Sequence, residues 1–296
     1  MNIKIFLAGC FFGMSALSVE AQQVWTPDNG DGTFTNPIMW GDWPDPDVIR
    51  VGDDFYFVST SMHYVPGCPI AKSKDLVNWE MVGYAVDRYD DDPRYDLKGG
   101  NLYLNGSWAS SIRHHNGKFY VAFCTPYGWG TEKGHFSVCE AEKPEGPWKR
   151  TVFPEYLYDP GLLFDDDGKV YMYWGCSDKD PIMGVEVDPK DGFRALGEAK
   201  ALIAHHGDKY GWEVPGKNNE EPRQGWNEGP CMLKYEGRYY LQYAAPGTQY
   251  RIYGDGIYVG DTPLGPFEYV EDNPFSFKPG GFIGGAGHGH TFRDKY

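Results

Sequence analysis

The sequence lacks the features that mark three classes of protein. Beyond the N-terminus, no apolar run approaches the ~20 residues that a membrane-spanning helix needs, so no membrane span is expected. Basic charge is scarce: 27 Lys and Arg stand against 42 Asp and Glu, and the net charge of -15 would repel nucleic acid. The cysteines beyond Cys10 are odd in number and show no C-x-x-C spacing, which argues against a zinc motif or a disulfide framework. The net negative charge favours a neutral ligand.

The first 21 residues are typical of a secretory signal peptide. Lys4 supplies a positive charge, residues 5–17 are largely apolar, and Val19-Glu20-Ala21 forms an acceptable cleavage site before Gln22. A lipoprotein-type anchor at Cys10 is the alternative. We therefore expect a mature domain over residues 22–296, secreted or periplasmic.

Aromatic residues recur in four similar units, each a turn followed by an aromatic strand. The second aromatic residues of the four units are Tyr56, Tyr120, Tyr171 and Tyr240. Turns such as Asn116-Gly117 favour tight hairpins because both residues tolerate positive φ. No sustained window shows helical periodicity, so the pattern predicts an all-β fold. Repeated units of about four short strands indicate a β-propeller with four-stranded blades.

The repeat places polar or aromatic residues at equivalent positions, 11 or 12 residues before those tyrosines. These residues are Asp45, Trp108, Asp159 and Glu228. Because the first strand of each propeller blade lines the central channel, we expect the four side chains to converge on one axis. A fifth unit begins near the C-terminus, with His288 in the same place. The chain ends at Tyr296, which predicts a five-bladed propeller whose last blade is incomplete.

Three carboxylates around one channel suit glycoside hydrolysis. They repel one another and are costly to desolvate, so at least one of them should have a raised pKa. Hydrolysis of a glycoside needs a protonated acid at the leaving oxygen and an ionised carboxylate that activates water or attacks directly. Aromatic side chains near the axis would suit the apolar faces of sugars. The candidates are Trp43, Tyr64, Trp108 and Trp226.

These residues belong to an ordered set of motifs that resembles glycoside hydrolase family 43. The resemblance covers nearly the whole chain from Asn36 onward. Its carriers are Asn36-Pro37-Ile38, Trp43-Pro44-Asp45-Pro46-Asp47, Arg50-Val51-Gly52-Asp53-Asp54-Phe55-Tyr56, Ser73-Lys74-Asp75-Leu76-Val77-Asn78-Trp79, Trp108-Ala109, Tyr158-Asp159-Pro160, Glu228-Gly229-Pro230 and Gly287-His288. One departure is Ser110, where the family often has proline after Trp-Ala.

The resemblance implies a five-bladed propeller that hydrolyses α-L-arabinofuranosides or β-D-xylosides of plant polysaccharides with inversion. By position, Asp45 would match the general base, Glu228 the general acid, and Asp159 the third carboxylate that adjusts the acid's pKa and orients it. Inversion predicts that Asp45 and Glu228 lie roughly 6.5–9.5 Å apart, with room for a water molecule. Trp108 would line the sugar pocket. His288 would match an axial histidine that in some members lies beside a calcium ion or a water cluster, whereas no organic cofactor is expected.

Several alternatives stay open from the sequence. The sequence does not distinguish arabinofuranoside from xyloside specificity, because it does not reveal the shape of the loops that form the pocket. A non-catalytic sugar-binding propeller and a retaining invertase-type enzyme are the rival functions. Residues 204–224 are interpreted either as a substrate loop or as a flexible surface insert. The acidic run Asp165-Asp166-Asp167 is interpreted as a solvated turn.

Overall fold

The computed structural model describes residues 25–127, 134–175, 181–207, 209–221, 225–281 and 284–294. The predicted signal peptide, residues 1–21, lies outside the described residues. Within those ranges, helix is limited to three short 3-10 turns, Pro93–Asp96, Pro189–Asp191 and Gly211–Glu213. None of the helical segments in these ranges is long and apolar enough to cross a membrane. The described chain is therefore an all-β structure, as the sequence predicts.

The strands form four antiparallel sheets, each made from strands that are consecutive in the sequence. The first blade contains β1 (Asp47–Val51), β2 (Asp54–Val58), β3 (Gly67–Ser73) and β4 (Trp79–Val86). The second contains β5 (Trp108–His115), β6 (Lys118–Thr125), β7 (His135–Ala141) and β8 (Lys149–Phe153). The third contains β9 (Gly161–Phe164), β10 (Val170–Trp174), β11 (Ile182–Asp188), β12 (Arg194–Ala195) and β13 (Lys200–Ile203). The fourth contains β14 (Glu228–Tyr235), β15 (Arg238–Ala245), β16 (Gly254–Gly260), β17 (Phe267–Tyr269) and β18 (Ser276–Phe277).

Each sheet has the up-and-down order of a propeller blade. In the third blade β12 and β13 both pair with β11, and in the fourth blade β17 and β18 both pair with β16. The outermost strand of these two blades is thus divided in two, which preserves the predicted four-stranded plan. The hairpin turns also follow the sequence signals: Asn116-Gly117 joins β5 to β6 with φ of 49° and 75°. Such left-handed backbone at both positions is what a two-residue hairpin turn requires.

Apolar cores lie between neighbouring blades. Between the first and second blades, Val58 and Ile70 pack with Ile112, Val121 and Phe123, all of them buried. Two similar clusters join the second blade to the third and the third blade to the fourth. Each large side chain that is fully buried in this way contributes about 1.5–3 kcal/mol. Packing between blades therefore sets how their first strands are arranged around the axis.

Ion pairs also join neighbouring blades, and one of them corrects the interpretation of the acidic run. Asp165 is buried rather than solvated. Its carboxylate accepts hydrogen bonds from Lys234 Nζ at 2.6 Å and from Tyr239 Oη at 2.5 Å, across the boundary between the third and fourth blades. Only Asp166 and Asp167 form the exposed turn. A run of three aspartates cannot reveal this difference, because the cation lies 69 residues away.

A buried polar cluster, here called the second axial layer, occupies the centre of the propeller. It comprises Asp47, Arg113, Cys231 and His290. The Arg113 guanidinium lies 2.5 Å from Asp47 Oδ2, donates to the Leu162 carbonyl at 2.7 Å and lies 3.5 Å from Cys231 Sγ. His290 Nδ1 lies 3.1 Å from Asp47 Oδ1. All four blades thus meet at one arginine.

Residues 284–294 lie between the fourth blade and the first, where the fifth unit was expected. Thr291 N donates to Gln242 Oε1 of the fourth blade at 3.0 Å, and the Phe292 ring packs edge-on against Phe55 of the first blade at 5.7 Å. The structure assigns no strand to residues 284–294. Four blades and this bridging segment therefore surround the axis in the described part of the chain.

Candidate active site

The residues predicted from the repeat do occupy equivalent positions. Trp108 and Glu228 are the first residues of β5 and β14, and Asp45 and Asp159 lie two residues before β1 and β9. After Trp108 and after Glu228 the strand has a bulge, in which two residues face one on the partner strand. The bulge bends the start of each strand. With His288, these four residues form what we call the first axial layer.

The backbone of this layer has an uncommon conformation. Asp45, Asp159 and His288 have φ of 51°, 50° and 62°, and the residues after Trp108 and Glu228, Ala109 and Gly229, have φ of 47° and 62°. Positive φ is uncommon for residues other than glycine and is found mainly where the surrounding structure holds it. A positive φ thus recurs in every unit, at the axial residue or at the residue after it, which indicates that the layer is a built site.

Asp45 is held by two neighbours. Thr60 Oγ1 donates to Asp45 Oδ2 at 2.6 Å and itself accepts from Ala109 N at 2.7 Å, which directs the hydroxyl proton towards Asp45. His288 Nδ1 lies 3.2 Å from Asp45 Oδ1. The side chain remains 23% exposed, so water can reach it. A partly solvated carboxylate with fixed orientation fits a general base.

Asp159 is buried and carries the raised pKa that the sequence led us to expect. Burial is the largest cause, and the negative charges of Glu228 and Asp45 raise the pKa of Asp159 further. One oxygen, Oδ2, accepts from Gly229 N at 3.1 Å and lies 4.0 Å from His288 Nδ1. The surroundings of Asp159 therefore favour the protonated form of this carboxyl group.

Glu228 is buried and contacts a residue that the sequence did not reveal. Tyr253, just before β16, donates its hydroxyl hydrogen bond to Glu228 Oε1 at 2.5 Å. Burial first, and then the charge of Glu228, raise the pKa of Tyr253 well above its usual range, so the phenol stays a donor. No turn, repeat or charge signal marks Tyr253 in the sequence.

His288 is fixed from its backbone side by another residue that was not predicted. Asp255 is buried, and its Oδ1 accepts from His288 N at 2.8 Å. Burial raises the pKa of Asp255 to about 7. This contact presents the imidazole to Asp45 and Asp159.

The predicted metal role of His288 receives no support from its surroundings. In the described ranges, no group of three or more His, Cys, Asp or Glu side chains is arranged to hold a metal ion. The imidazole Nδ1 instead faces Asp45 at 3.2 Å and Asp159 at 4.0 Å.

Two residues of the second axial layer follow residues of the first at the same spacing. Asp47 comes two residues after Asp45, and His290 comes two residues after His288. In the structure the first members meet at 3.2 Å and the second members at 3.1 Å. Arg113 of the second blade contacts the other three blades, but no spacing in the sequence marks it.

The predicted aromatic residues lie in different surroundings. The Trp108 indole is half-buried at the axis and donates to the Leu104 carbonyl at 2.7 Å. Trp226, two residues before Glu228, is half-buried, and Tyr64 is 68% exposed. Trp43 packs edge-on against Phe57 at 5.8 Å and lines a groove on the first blade, so its contact with sugar stays a prediction.

The segment before Glu228 is anchored rather than a loose surface insert over its described residues. Glu213 is completely buried and accepts from Tyr243 Oη at 2.6 Å and from His206 N at 2.7 Å. Trp212 Nε1 donates to Tyr269 Oη at 3.0 Å. These bonds tie the segment to the fourth blade, next to the strand that begins at Glu228.

Comparison with known proteins places this geometry among carbohydrate-active enzymes. A model described as glycosyl hydrolases family 43 matches residues 34–296. A non-reducing end alpha-L-arabinofuranosidase of Bacteroides ovatus is 37% identical over 243 residues, which are 82% of this chain and 41% of that protein. A xylan 1,3-beta-xylosidase of a Vibrio species is 31% identical over 273 residues, 87% of this chain and 46% of that protein.

Solved structures agree with these matches. The structure of a xylan beta-1,4-xylosidase from Bacillus halodurans aligns with a TM-score of 0.66 at 27% identity, over 81% of this chain and 44% of that one. The chain thus spans less than half the length of each of these relatives.

Proposed function

Because this chain belongs to glycosyl hydrolase family 43, we propose that it removes α-L-arabinofuranosyl or β-D-xylosyl residues from plant polysaccharides or oligosaccharides with inversion. The observation that carries the proposal is the convergence of Asp45, Asp159 and Glu228 with the raised pKa of Asp159. The matching relatives are named for arabinofuranosidase and xylosidase activity, which supports the substrate class. Secretion through the N-terminal segment is part of the same proposal.

Asp45 acts as the general base in this mechanism. Its hydrogen bond from Thr60 and its contact with His288 hold the carboxylate in one orientation, and its partial exposure admits the attacking water. In an inverting enzyme the two carboxyl groups stand roughly 6.5–9.5 Å apart, so that this water fits between the base and the sugar. Asp45 takes a proton from the water as the oxygen attacks the anomeric carbon.

Glu228 acts as the general acid. It transfers a proton to the leaving glycosidic oxygen as the bond to the anomeric carbon breaks. Asp159 is held beside the acid by the hydrogen bond that Gly229 N donates to it, and a negative charge at this place favours the protonated form of a neighbouring carboxyl group. Tyr253 orients Glu228 through its hydrogen bond to Oε1.

The test compares variants on substrates with different leaving groups. Glu228→Ala should lower kcat about 10²–10⁴-fold on xylo-oligosaccharides and arabino-oligosaccharides, but much less on aryl glycosides with good leaving groups, which need little protonation. Asp45→Ala should abolish turnover of both. Glu268→Gln, at an exposed carboxylate on β17 of the same blade, is the matched control and should leave both rates unchanged.

Two product measurements complete the experiment. Proton NMR of the first product should show an anomeric configuration opposite to that of the substrate, and chromatography should identify it as arabinose or xylose. Retention of configuration would contradict the assignment of Asp45 as a base. Equal losses of Glu228→Ala on good and poor leaving groups would contradict the assignment of the acid.

A further inference from the structure

One carboxyl group outside both axial layers is completely buried. Glu213 ends the 3-10 turn Gly211–Glu213 in the segment before Glu228, and it has no exposed surface. Burial is the largest influence on this group and raises the pKa of Glu213 above its usual range, although neighbouring hydrogen bonds act in the opposite direction. Because a carboxyl group is costly to remove from water, a buried one of this kind is a candidate for a functional role.

The two carboxyl oxygens of Glu213 join this segment to the fourth blade. Oε1 accepts from Tyr243 Oη at 2.6 Å, and Oε2 accepts from His206 N at 2.7 Å. Tyr243 lies on β15 and is itself completely buried. The next residue on that strand, Ala244, is the cross-strand partner of Glu228. Glu213 therefore holds the segment against the part of β15 that pairs with the acid.

A second connection runs through the buried ring of His205. Its Nε2 lies 2.9 Å from the carbonyl oxygen of Glu213 and 3.0 Å from the backbone nitrogen of Gly225, three residues before the acid. The side chain of Asn227 is also buried, and its Nδ2 donates to the Ala204 carbonyl at 3.4 Å. The residues directly before the acid therefore rest on the segment that Glu213 anchors.

The contact at Gly225 is too close to absorb a displacement. A Cβ added to Gly225 would lie 3.0 Å from the Glu213 carbonyl oxygen and 3.0 Å from the rings of Pro215 and Pro246. On the next residue, Trp226 N donates to the Pro246 carbonyl at 2.9 Å. Because the backbone is packed on three sides, a shift of the segment would move the chain that leads into the acid.

We propose that Glu213 is a positioning residue for the reaction: it docks the segment before Glu228 on β15 and thereby places the carboxyl group of the acid for proton transfer. The proposal rests on the proposed hydrolase function and deepens it. Glu213 itself does not contact the substrate, because it is completely buried. A misplacement of about 1 Å at a reacting group costs on the order of 10²-fold in rate, so a distant anchor has a measurable effect.

The test compares poor and good leaving groups in the full chain. Glu213→Ala should lower kcat about tenfold or more on xylo-oligosaccharides or arabino-oligosaccharides, but less than about twofold on the corresponding 4-nitrophenyl glycoside, which needs little protonation. Glu213→Gln keeps the shape and one acceptor oxygen, so kcat on both substrates should stay within about threefold of wild type. Glu268→Ala, at an exposed glutamate on β17 of the same blade, is the matched control and should leave both rates unchanged.

A second variant tests the same contact if Glu213→Ala does not fold. Tyr243→Phe removes the hydroxyl group that bonds Glu213 and keeps the buried ring. It should lower kcat about threefold to fivefold on the oligosaccharide and leave the 4-nitrophenyl rate nearly unchanged. Equal losses on both substrates would overturn the proposal, because they would show a contribution to folding alone, and so would unchanged rates. A Glu213→Gln variant as impaired as Glu213→Ala would also overturn it.

Hydrogen exchange separates this proposal from the proposed function. If the wild-type protein hydrolyses neither substrate, the proposed function fails, and exchange at the amides of residues 225–228 then tests the positioning by itself. These amides should exchange about fivefold faster or more in Glu213→Ala or Tyr243→Phe than in the wild type and in Glu268→Ala, because the anchor that holds them is lost. Equal exchange in all four proteins would overturn the proposal.

Discussion

Replacing Asp47 with alanine should destabilise the whole propeller, because this carboxylate compensates the charge at its centre. Asp47 is almost completely buried, and it accepts from Arg113 at 2.5 Å and from Ile112 N at 2.9 Å. Its other oxygen lies 3.1 Å from His290 Nδ1. Asp47→Ala would leave the Arg113 guanidinium, itself mostly buried, without its counter-ion. Breaking a buried pair by removing one partner costs about 3–5 kcal/mol, a large part of a typical total stability.

Urea unfolding followed by tryptophan fluorescence measures this loss as a lower midpoint at an unchanged slope. The matched control is Asp191→Ala. Asp191 also lies 2.5 Å from an arginine, Arg194, but both side chains of this pair are more than half exposed. An exposed pair is screened by water, so the control midpoint should move little. A loss for Asp47→Ala no larger than that of the control would refute the reasoning.

The same variant has a pH signature. Burial alone would raise the pKa of Asp47, but the charges of Arg113 and His290 outweigh it and hold the pKa well below its usual range. A lowered folded-state pKa stabilises the protein above the unfolded pKa of about 3.9, and this contribution is lost as the pH falls below that value. The difference in stability between wild type and Asp47→Ala should therefore be full at pH 6 and smaller at pH 3.5.

Two further perturbations address the first axial layer. Gly229→Ala should reduce the free energy of unfolding by more than about 1 kcal/mol and lower kcat at least tenfold. The reason is that φ of Gly229 is +62° and an added Cβ would lie 2.5 Å from the His288 ring. A variant with wild-type activity and melting temperature would contradict this expectation. Asp255→Asn should flatten the pH dependence of stability: the raised pKa of about 7 means that wild type loses stability as the pH rises from about 4 through 7, and a variant without a titrating group does not. Parallel melting temperatures of wild type and Asp255→Asn between pH 5 and 8 would disprove the second expectation.

Some residues have roles that the sequence alone does not reveal. Asp165 belongs to an acidic run that resembles a surface turn, yet it is buried because Lys234 and Tyr239 of the next blade reach it. Tyr253 directly precedes β16 and Asp255 is the second residue of that strand, and nothing in the neighbouring sequence marks either of them. Their roles arise from contacts across 25 and 33 residues, to Glu228 and His288.

The amino-acid sequence by itself determined the strands, the hairpin turns, the blade repeat and the positions of the axial residues. These features depend on neighbouring residues, namely on the alternation of apolar and polar side chains and on turn residues that accept positive φ. Patterns among neighbouring residues can be recognised in the sequence. Only the tertiary structure decided which side chains meet: Arg113 at the centre of four blades, His288 between two carboxylates, and Asp159 as the group whose pKa rises. Burial and the interaction of charges depend on distances in space. The packing of the blades sets these distances, and the spacing of residues along the sequence does not reveal them.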